Sequence, residues 1–430
     1  MRTRIGCSKL APMAQLSNDC FVTDSRMRRI DEALAEIMAR IGTVAAVERV
    51  ALTAALGRIL AEPIKAPISV PPAPNSAVDG YALRHRDLAP DRETRLALAG
   101  RAAAGHPFAA PVGEGEAVRI FTGAVMPDGA DTVMMQEDCT AEEGFVCVAP
   151  GIRPGANTRP VGEDFTRGET LLEAGRRLRP QDIGLLAAAG FTEIAVRRKL
   201  RLALLSTGDE VQAPGTRLGD GQIYDANRAM LQALLQQFGM EATDLGILPD
   251  RRDRITQAIG EAARQHDAVM SSGGVSSGEE DHVRQAVDAQ GSLYLWRLAI
   301  KPGRPVALGQ VGDTPFIGLP GNPVAAMVTF LELARPMLLR LAGAAAEDAA
   351  WIPVRTRFAY RKKPGRREYL RVTLVREADG ALAAEKFARE GAGILSSLTR
   401  SDGLMRLDEE LAEVAPGTAL PYRSYADFLA

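Results

Sequence analysis

Ala268-Val269-Met270-Ser271-Ser272-Gly273-Gly274-Val275-Ser276-Ser277-Gly278-Glu279-Glu280-Asp281 is the stretch whose reading decides the fold. Its first three residues read as a buried strand, and the segment after Asp281 reads as a helix. Between them lie four hydroxyls and three glycines. Where a strand opens into such a loop at a parallel-sheet edge, backbone N–H groups and a helix N-terminus face an anion, usually a phosphate. A carboxylate at the far end, Asp281, then holds a hydrated magnesium ion beside that phosphate. A plain Gly/Ser turn has the same composition. Two later segments favour the site reading: Ile300-Lys301-Pro302-Gly303-Arg304-Pro305 and Gly318-Leu319-Pro320-Gly321-Asn322-Pro323.

Working outward, strands are expected at Leu202–Leu205, Leu245–Leu248, Ala268–Met270 and Pro315–Ile317. Helices are expected at Ala226–Phe238, Asp253–Gln265, Asp281–Asp288 and Pro323–Leu341. This alternation predicts a parallel α/β domain over 199–346. Upstream, Met27, Ile30, Leu34, Ile37, Met38 and Ile41 mark one face of a helix, and a second helix is expected near Leu52–Leu60. Residues 66–164 are rich in glycine and short alternating runs and read as a small β domain. A helix at Pro180–Ala189 follows, so 25–65 and 165–198 read as one discontinuous helical linker domain into which the β domain is inserted. Runs such as Tyr369–Val375 predict a small β module over 347–430. Residues 1–24 carry no sustained period and read as a flexible extension.

At 430 residues, with a net charge of −2, the global balance calls for neither nucleic acid nor an anionic membrane. No apolar run reaches the roughly 18 residues of a membrane span. The first residues lack the apolar core of a signal peptide. Cys7, Cys20, Cys139 and Cys147 show no zinc spacing and no dense disulfide framework, which points to a reducing compartment, the cytoplasm. Four histidines make a multi-histidine metal site or a histidine triad a poor fit.

Ligands of an open parallel sheet bind at the carboxyl ends of its strands. Four segments fall there: Ser206-Thr207-Gly208-Asp209-Glu210, Asp250, the Ser/Gly loop with Asp281, and Gly318–Pro323. Recurrent carboxylates at Glu210, Asp250 and Asp281 point to metal or catalytic use of at least two of them. Lys301 and Arg304 straddle Pro302-Gly303, a stiffened turn whose cations suit an oxyanion. Pro320-Gly321-Asn322-Pro323 presents N–H groups at a helix start, with Pro323 near its first position. In the β domain, Asn75–Ala82 carries Asp79 before a glycine, and Phe121-Thr122-Gly123-Ala124 carries a hydroxyl after a strand.

In this order, the segments resemble the molybdopterin molybdenumtransferase family, called MoeA in bacteria and the E domain of gephyrin in animals. The resemblance spans about residues 26–425. It rests on Asn75–Ala82, Thr122-Gly123-Ala124, Gly162-Glu163-Asp164, Ser206–Glu210, Ile223-Tyr224-Asp225, Ser271–Asp281, Lys301-Pro302-Gly303 and Gly318–Pro323. It implies a four-domain homodimer with a shared cleft, a molybdopterin-binding α/β domain and a barrel-like C-terminal β domain. It also implies a reaction in which adenylylated molybdopterin and molybdate give molybdenum cofactor and AMP with magnesium. On that resemblance Asp79, Thr122, Glu210, Asp250, Asp281 and Lys301 are the catalytic candidates, with Asp250 and Asp281 on the metal. Ser271, Ser272, Gly273, Gly274, Ser276, Arg297 and Pro320-Gly321-Asn322-Pro323 are the candidates for holding the pterin substrate. Other cofactor-synthesis proteins and molybdoenzyme apo-proteins are the implied partners.

The chain departs from the family pattern in places. Ala73-Pro74 replaces a Phe-Asp pair, Ala156 a glutamate, and Arg297 a lysine. Ala325 and Ala392 stand where serines are usual. Those two losses raise a second reading, a weakened scaffold or molybdopterin-binding paralogue that keeps the fold without turnover. A third, a nucleotide-processing enzyme of the competence/damage-inducible type, shares the α/β domain but lacks the segments around Asp79 and Thr122.

Overall fold

The computed structural model describes residues 27–274, 282–346 and 350–429; the proposed 1–24 extension, Ser276 and Asp281 lie outside them. The α/β domain is built from β1 (Arg201–Thr207), α1 (Ala226–Gln237), β2 (Glu241–Leu248), α2 (Arg252–Gln265), β3 (Ala268–Ser272), α3 (His282–Asp288), β4 (Gly291–Arg297), β5 (Ile300–Lys301), β6 (Pro305–Val311), β7 (Thr314–Leu319) and α4 (Pro323–Thr329). Its sheet runs β2-β1-β3-β7-β6-β4. The first four strands are mutually parallel, as the alternating pattern predicts, whereas β6 joins antiparallel to both β7 and β4.

Both faces of the sheet are covered. Leu202, Leu204, Met270 and Ile317 pack with Leu231, Leu234 and Leu235 of α1 and with Val324 and Val328 of α4. Ala203, Leu205, Val269 and Phe316 pack with Ile255 and Ile259 of α2 and Val283 of α3. Each large aliphatic side chain fully buried here contributes roughly 1.5–3 kcal/mol. The helical run from Pro323 is interrupted by a π segment at Phe330–Ala334, continues over Arg335–Ala342, and stops at Gly343, whose φ of 92° is left-handed.

The first helix is Ile30–Arg40, and its apolar face (Ile30, Ala33, Ile37) packs into the α/β core. The second expected helix is a correction. Leu52–Ala54 form one 3-10 turn, and Ile59 and Leu60 bridge to Arg177 and Val196 instead. Gly57, at φ 74°, ends any helical path, although Leu52, Ala55 and Ile59 are buried at helical spacing. Val47–Ala51 pairs antiparallel with Glu193–Arg197, and Ile64–Lys65 with Thr170–Leu172. The second ladder holds together the two ends of the 66–164 segment, so that segment leaves and re-enters the chain at one place.

Within it lies a six-stranded sheet including Gly80–Leu83, Thr94–Ala102 and Glu116–Ile120, with a separate apolar cluster on each face. In the C-terminal module, β8 (Arg367–Arg376) pairs with Leu382–Lys386 and also with Gly403–Leu407. Leu382–Lys386 pairs with Ile352–Thr356, which pairs with Ala419–Ser424, which returns to Gly403–Leu407. The strands therefore close into a barrel around Leu370, Val372, Met405 and Tyr422. β5 pairs parallel with β8, so the α/β domain donates a strand to the barrel's flank. No helix among the described residues is long and apolar enough to cross a membrane.

Candidate active site

Parallel pairing brings the carboxyl ends of β2, β1, β3 and β7 to one edge: Thr207 is level with Leu248, Ser206 with Ser272, and Ser272 with Leu319. Asp250 follows β2 there and is exposed, as is Glu210 beyond β1. β4 runs in the same sense as β7, which places exposed Arg297 at that edge too.

The turn after β3 requires its glycines. Gly273 and Gly274 have φ of 83° and 65°. A Cβ on Gly274 would lie 2.4 Å from Val283 Cγ2 and 2.8 Å from Thr207 Oγ1. Left-handed backbone and close approach together exclude a side chain. Buried Ser271 and Ser272 precede the turn, and the Gly273 N–H donates to Leu319 O at 3.1 Å. Gly208 is similarly constrained: at φ 130°, its Cβ would meet Glu210 Oε2 at 2.6 Å, so the Glu210 carboxylate folds over it.

Asn227, which the sequence reading passed over, ties two of these loops together. Its buried Nδ2 donates to Ser272 Oγ at 2.9 Å and to Gly321 O at 2.7 Å. The available signal was local: Asp225 caps α1 by accepting from Arg228 N at 3.0 Å, which turns the first-turn amide of Asn227 toward the sheet edge.

Past β7, Pro323 occupies the first turn of α4. Val324 N donates to Ala392 O of the C-terminal module at 2.9 Å, docking that module on the helix start. A cavity of about 220 Å³ lies between them. Lys301, Pro302, Gly303, Pro320, Gly321 and Asn322 form one wall; Tyr360, Glu368, Arg371 and Glu390 form the other. Ala325 and Ala392 both line it, so the two absent hydroxyls belong to the Lys301 cavity.

Lys301 Nζ donates to Tyr360 Oη at 3.1 Å and to Glu368 Oε2 at 3.2 Å. Burial pulls its ammonium down, but Tyr360 and Glu368 outweigh that and leave it above the ordinary lysine range. Burial is also the main cause that pushes the Tyr360 phenol up to about 12. Arg371 is buried, donates to Ser397 Oγ at 3.1 Å and to Arg389 O at 3.2 Å, and is lowered by burial.

The structure brings together Lys301, Gly321 and Asn322, and separately places Asp250, Glu210 and the Gly273-Gly274 turn on the same sheet edge. Asp79 and Thr122 stand apart: no described residue of 66–164 lines the Lys301 cavity. They nevertheless meet each other, with Asp79 Oδ1 accepting from Thr122 N and from Thr122 Oγ1, each at 2.8 Å. Those two hydrogen bonds hold the Asp79 carboxyl below its usual range.

Among the described residues no group of three or more His, Cys, Asp or Glu could cage a metal. Magnesium does not need such a cage. It is bound through one or two carboxylates, several waters and substrate phosphates, and exposed Asp250, at the same sheet edge as the glycine turn, fits that pattern.

The chain matches the MoeA N-terminal region (domain I and II) over residues 28–190. It matches the probable molybdopterin binding domain over 203–340 and the MoeA C-terminal region (domain IV) over 353–423. It is 36% identical to molybdopterin molybdenumtransferase of Haemophilus influenzae, over 94% of this chain and 100% of that one. The Nostoc protein of the same name is 37% identical over 71% of each chain. The crystal structure of the molybdopterin biosynthesis MoeA protein from Pyrococcus horikoshii OT3 superposes with a TM-score of 0.80 at 28% identity, covering 93% of this chain and 100% of that one. Strand-end loops, barrel-flanked lysine cavity and full-length similarity agree: the chain is an enzyme of the molybdopterin molybdenumtransferase family.

Proposed function

We propose that the protein acts in molybdenum cofactor biosynthesis, inserting molybdate into adenylylated molybdopterin with release of AMP, in a magnesium-dependent reaction. The observation that carries this reading is the Lys301 cavity at the junction of the sheet edge and the barrel. An ammonium, a buried guanidinium and the backbone at a helix start converge there on a space the size of a small oxyanion and its neighbours. The Gly273-Gly274 turn and the Ser271–Ser272 strand end lie next to it and suit a pterin phosphate; Ser276, which follows in sequence, is proposed to share that role. Arg297 adds positive charge at the same edge for the anionic substrate. Asp250 and Asp281 would hold the magnesium ion, which when bound neutralises charge on the pyrophosphate to be cleaved. Glu210, at the same sheet edge as Asp250, orients that end of the substrate. The test is molybdate-dependent AMP release from adenylylated molybdopterin under anaerobic conditions.

The isolation of Asp79 and Thr122 from the cavity of their own chain supports a homodimer whose cleft is completed by the other subunit. Mixing Asp79→Asn with Asp281→Asn protein, each inactive alone, is then expected to restore part of the activity once subunits exchange. No recovery after exchange is demonstrated would place each cleft within one chain. Cysteine usage supports a cytoplasmic setting, in which cofactor-synthesis proteins deliver substrate and molybdoenzyme apo-proteins receive product.

A second reading, a weakened paralogue, draws on Ala325 and Ala392. A hydrogen bond to a charged group is worth about 1.5–3 kcal/mol, or roughly 10–100-fold in affinity. Restoring serine at both positions is expected to lower the molybdate requirement within that range. An unchanged requirement would show that the alanines cost nothing.

A further inference from the structure

We propose that Tyr360 and Glu368 are positioning residues for Lys301, holding its ammonium charged and fixed on the cavity wall so that its remaining N–H meets an oxyanion. This rests on the reading of the cavity given above and goes further, by assigning a role to two residues of the C-terminal barrel.

Three polar atoms form a closed triangle. Lys301 Nζ lies 3.1 Å from Tyr360 Oη and 3.2 Å from Glu368 Oε2, and Tyr360 Oη donates to the same Glu368 oxygen at 2.8 Å. Glu390 Oε2 is a longer alternative acceptor for the phenolic proton at 3.3 Å; whichever carboxylate takes that proton, the Tyr360 oxygen is left to accept from Lys301. Glu368 Oε1 accepts from Arg366 Nε at 3.0 Å, so both carboxylate oxygens are engaged. An ammonium has three N–H donors. Two are committed within the triangle, and the third is available to the cavity.

Burial decides which partner does the holding. Glu368 is 1% exposed, whereas the Lys301 side chain is 39% exposed and reaches the cavity. Glu390 Oε2 lies 3.6 Å from Lys301 Nζ and 3.3 Å from Tyr360 Oη, but its side chain is 44% exposed and its other oxygen accepts from Lys386 at 2.8 Å, so its attraction is screened. A buried ion pair seldom stabilises a fold better than apolar side chains would. A one-sided pair, sealed at the carboxylate and open at the ammonium, does what packing alone cannot: it aims a charge. The groups facing Lys301 from the barrel are thus Tyr360, Glu368 and Glu390, with Arg366, Arg371 and Lys386 behind or beside them.

The test uses the full chain and two readouts. An amine-directed acylating reagent reacts with neutral lysine only, so the pH profile of Lys301 labelling, read by mass spectrometry against exposed Lys199, reports how tightly its proton is held. In the parent protein Lys301 should label only at a pH above the ordinary lysine range. Glu368→Gln should move that profile down by about one unit or more. Tyr360→Phe, which removes one hydroxyl and is the milder change for folding, should move it in the same direction. Both variants should also raise the molybdate concentration for half-maximal turnover, by roughly 10–100-fold for Glu368→Gln. Labelling profiles that match the parent in both variants overturn the inference, and leave the cavity reading standing if Lys301→Ala still raises the molybdate requirement. Profiles that shift while the molybdate requirement stays fixed overturn both: the pair then holds a lysine that no oxyanion meets.

Discussion

Lys301→Ala is expected to lower molybdate-dependent AMP release by about 10²–10³-fold, the range for loss of one preorganised donor at a developing or bound oxyanion. The side chain is the cation that reaches the cavity from the α/β side, and β5, which carries it, is fixed by its ladder to β8. Its removal also leaves Glu368 buried with only Tyr360 and Arg366 as donors, which adds electrostatic repulsion toward an anion. The loss should therefore fall first on the molybdate requirement, with high molybdate restoring part of the rate. Steady-state turnover against molybdate concentration separates the two contributions. A variant with parental half-saturation and rate would remove Lys301 from the reaction.

Asp250→Asn and Asp281→Asn form the second large expectation. Each should lower magnesium-dependent AMP release by on the order of 10²-fold or more, since each tenfold requires only about 1.4 kcal/mol of lost transition-state stabilisation. The exposed position of Asp250 means its removal disturbs no packing, so thermal stability should stay near that of the parent while the rate falls. Titration with magnesium gives the discriminating result: the Asp250 variant should need more magnesium for half its own maximal rate. Parental rates and parental magnesium dependence in both variants would take these carboxylates out of the mechanism.

Much of the sheet edge was legible because its physics is local. Apolar runs of three or four residues followed by Gly, Ser and Asp predict buried parallel strands ending in ligand-facing turns, and β1, β2, β3 and β7 lie there in adjacent positions. The β4 and β6 strands were not anticipated, because the excursion through Ile300–Lys301 to the barrel separates them and the eye takes Lys301–Arg304 as a simple cationic turn. Leu52–Leu60 misled for the opposite reason. Its buried residues fall at helical spacing, yet a single left-handed glycine sends them to two different partners.

The barrel side of the cavity was illegible. Residues Arg367 to Val372 are all buried: Leu370 and Val372 pack toward the barrel interior, Tyr369 packs into the α/β core, and Glu368 is enclosed beside Lys301. A strand covered on both faces loses the polar–apolar alternation that reveals orientation. Nothing in the run therefore marks Glu368 and Arg371 as buried, although one is 1% and the other 6% exposed. Only docking across some 60 residues of chain brings Tyr360 and Glu368 to Lys301. Asn227 escaped for a related reason: its two partners, Ser272 at the end of β3 and Gly321 past β7, are far apart in sequence and only the fold brings them together.

The most direct measurement is anaerobic incubation of the purified full chain with adenylylated molybdopterin and magnesium, with and without molybdate, following AMP. The account predicts AMP release that requires both magnesium and molybdate and saturates with molybdate. AMP release at the same rate without molybdate, or none under any molybdate concentration, would contradict it.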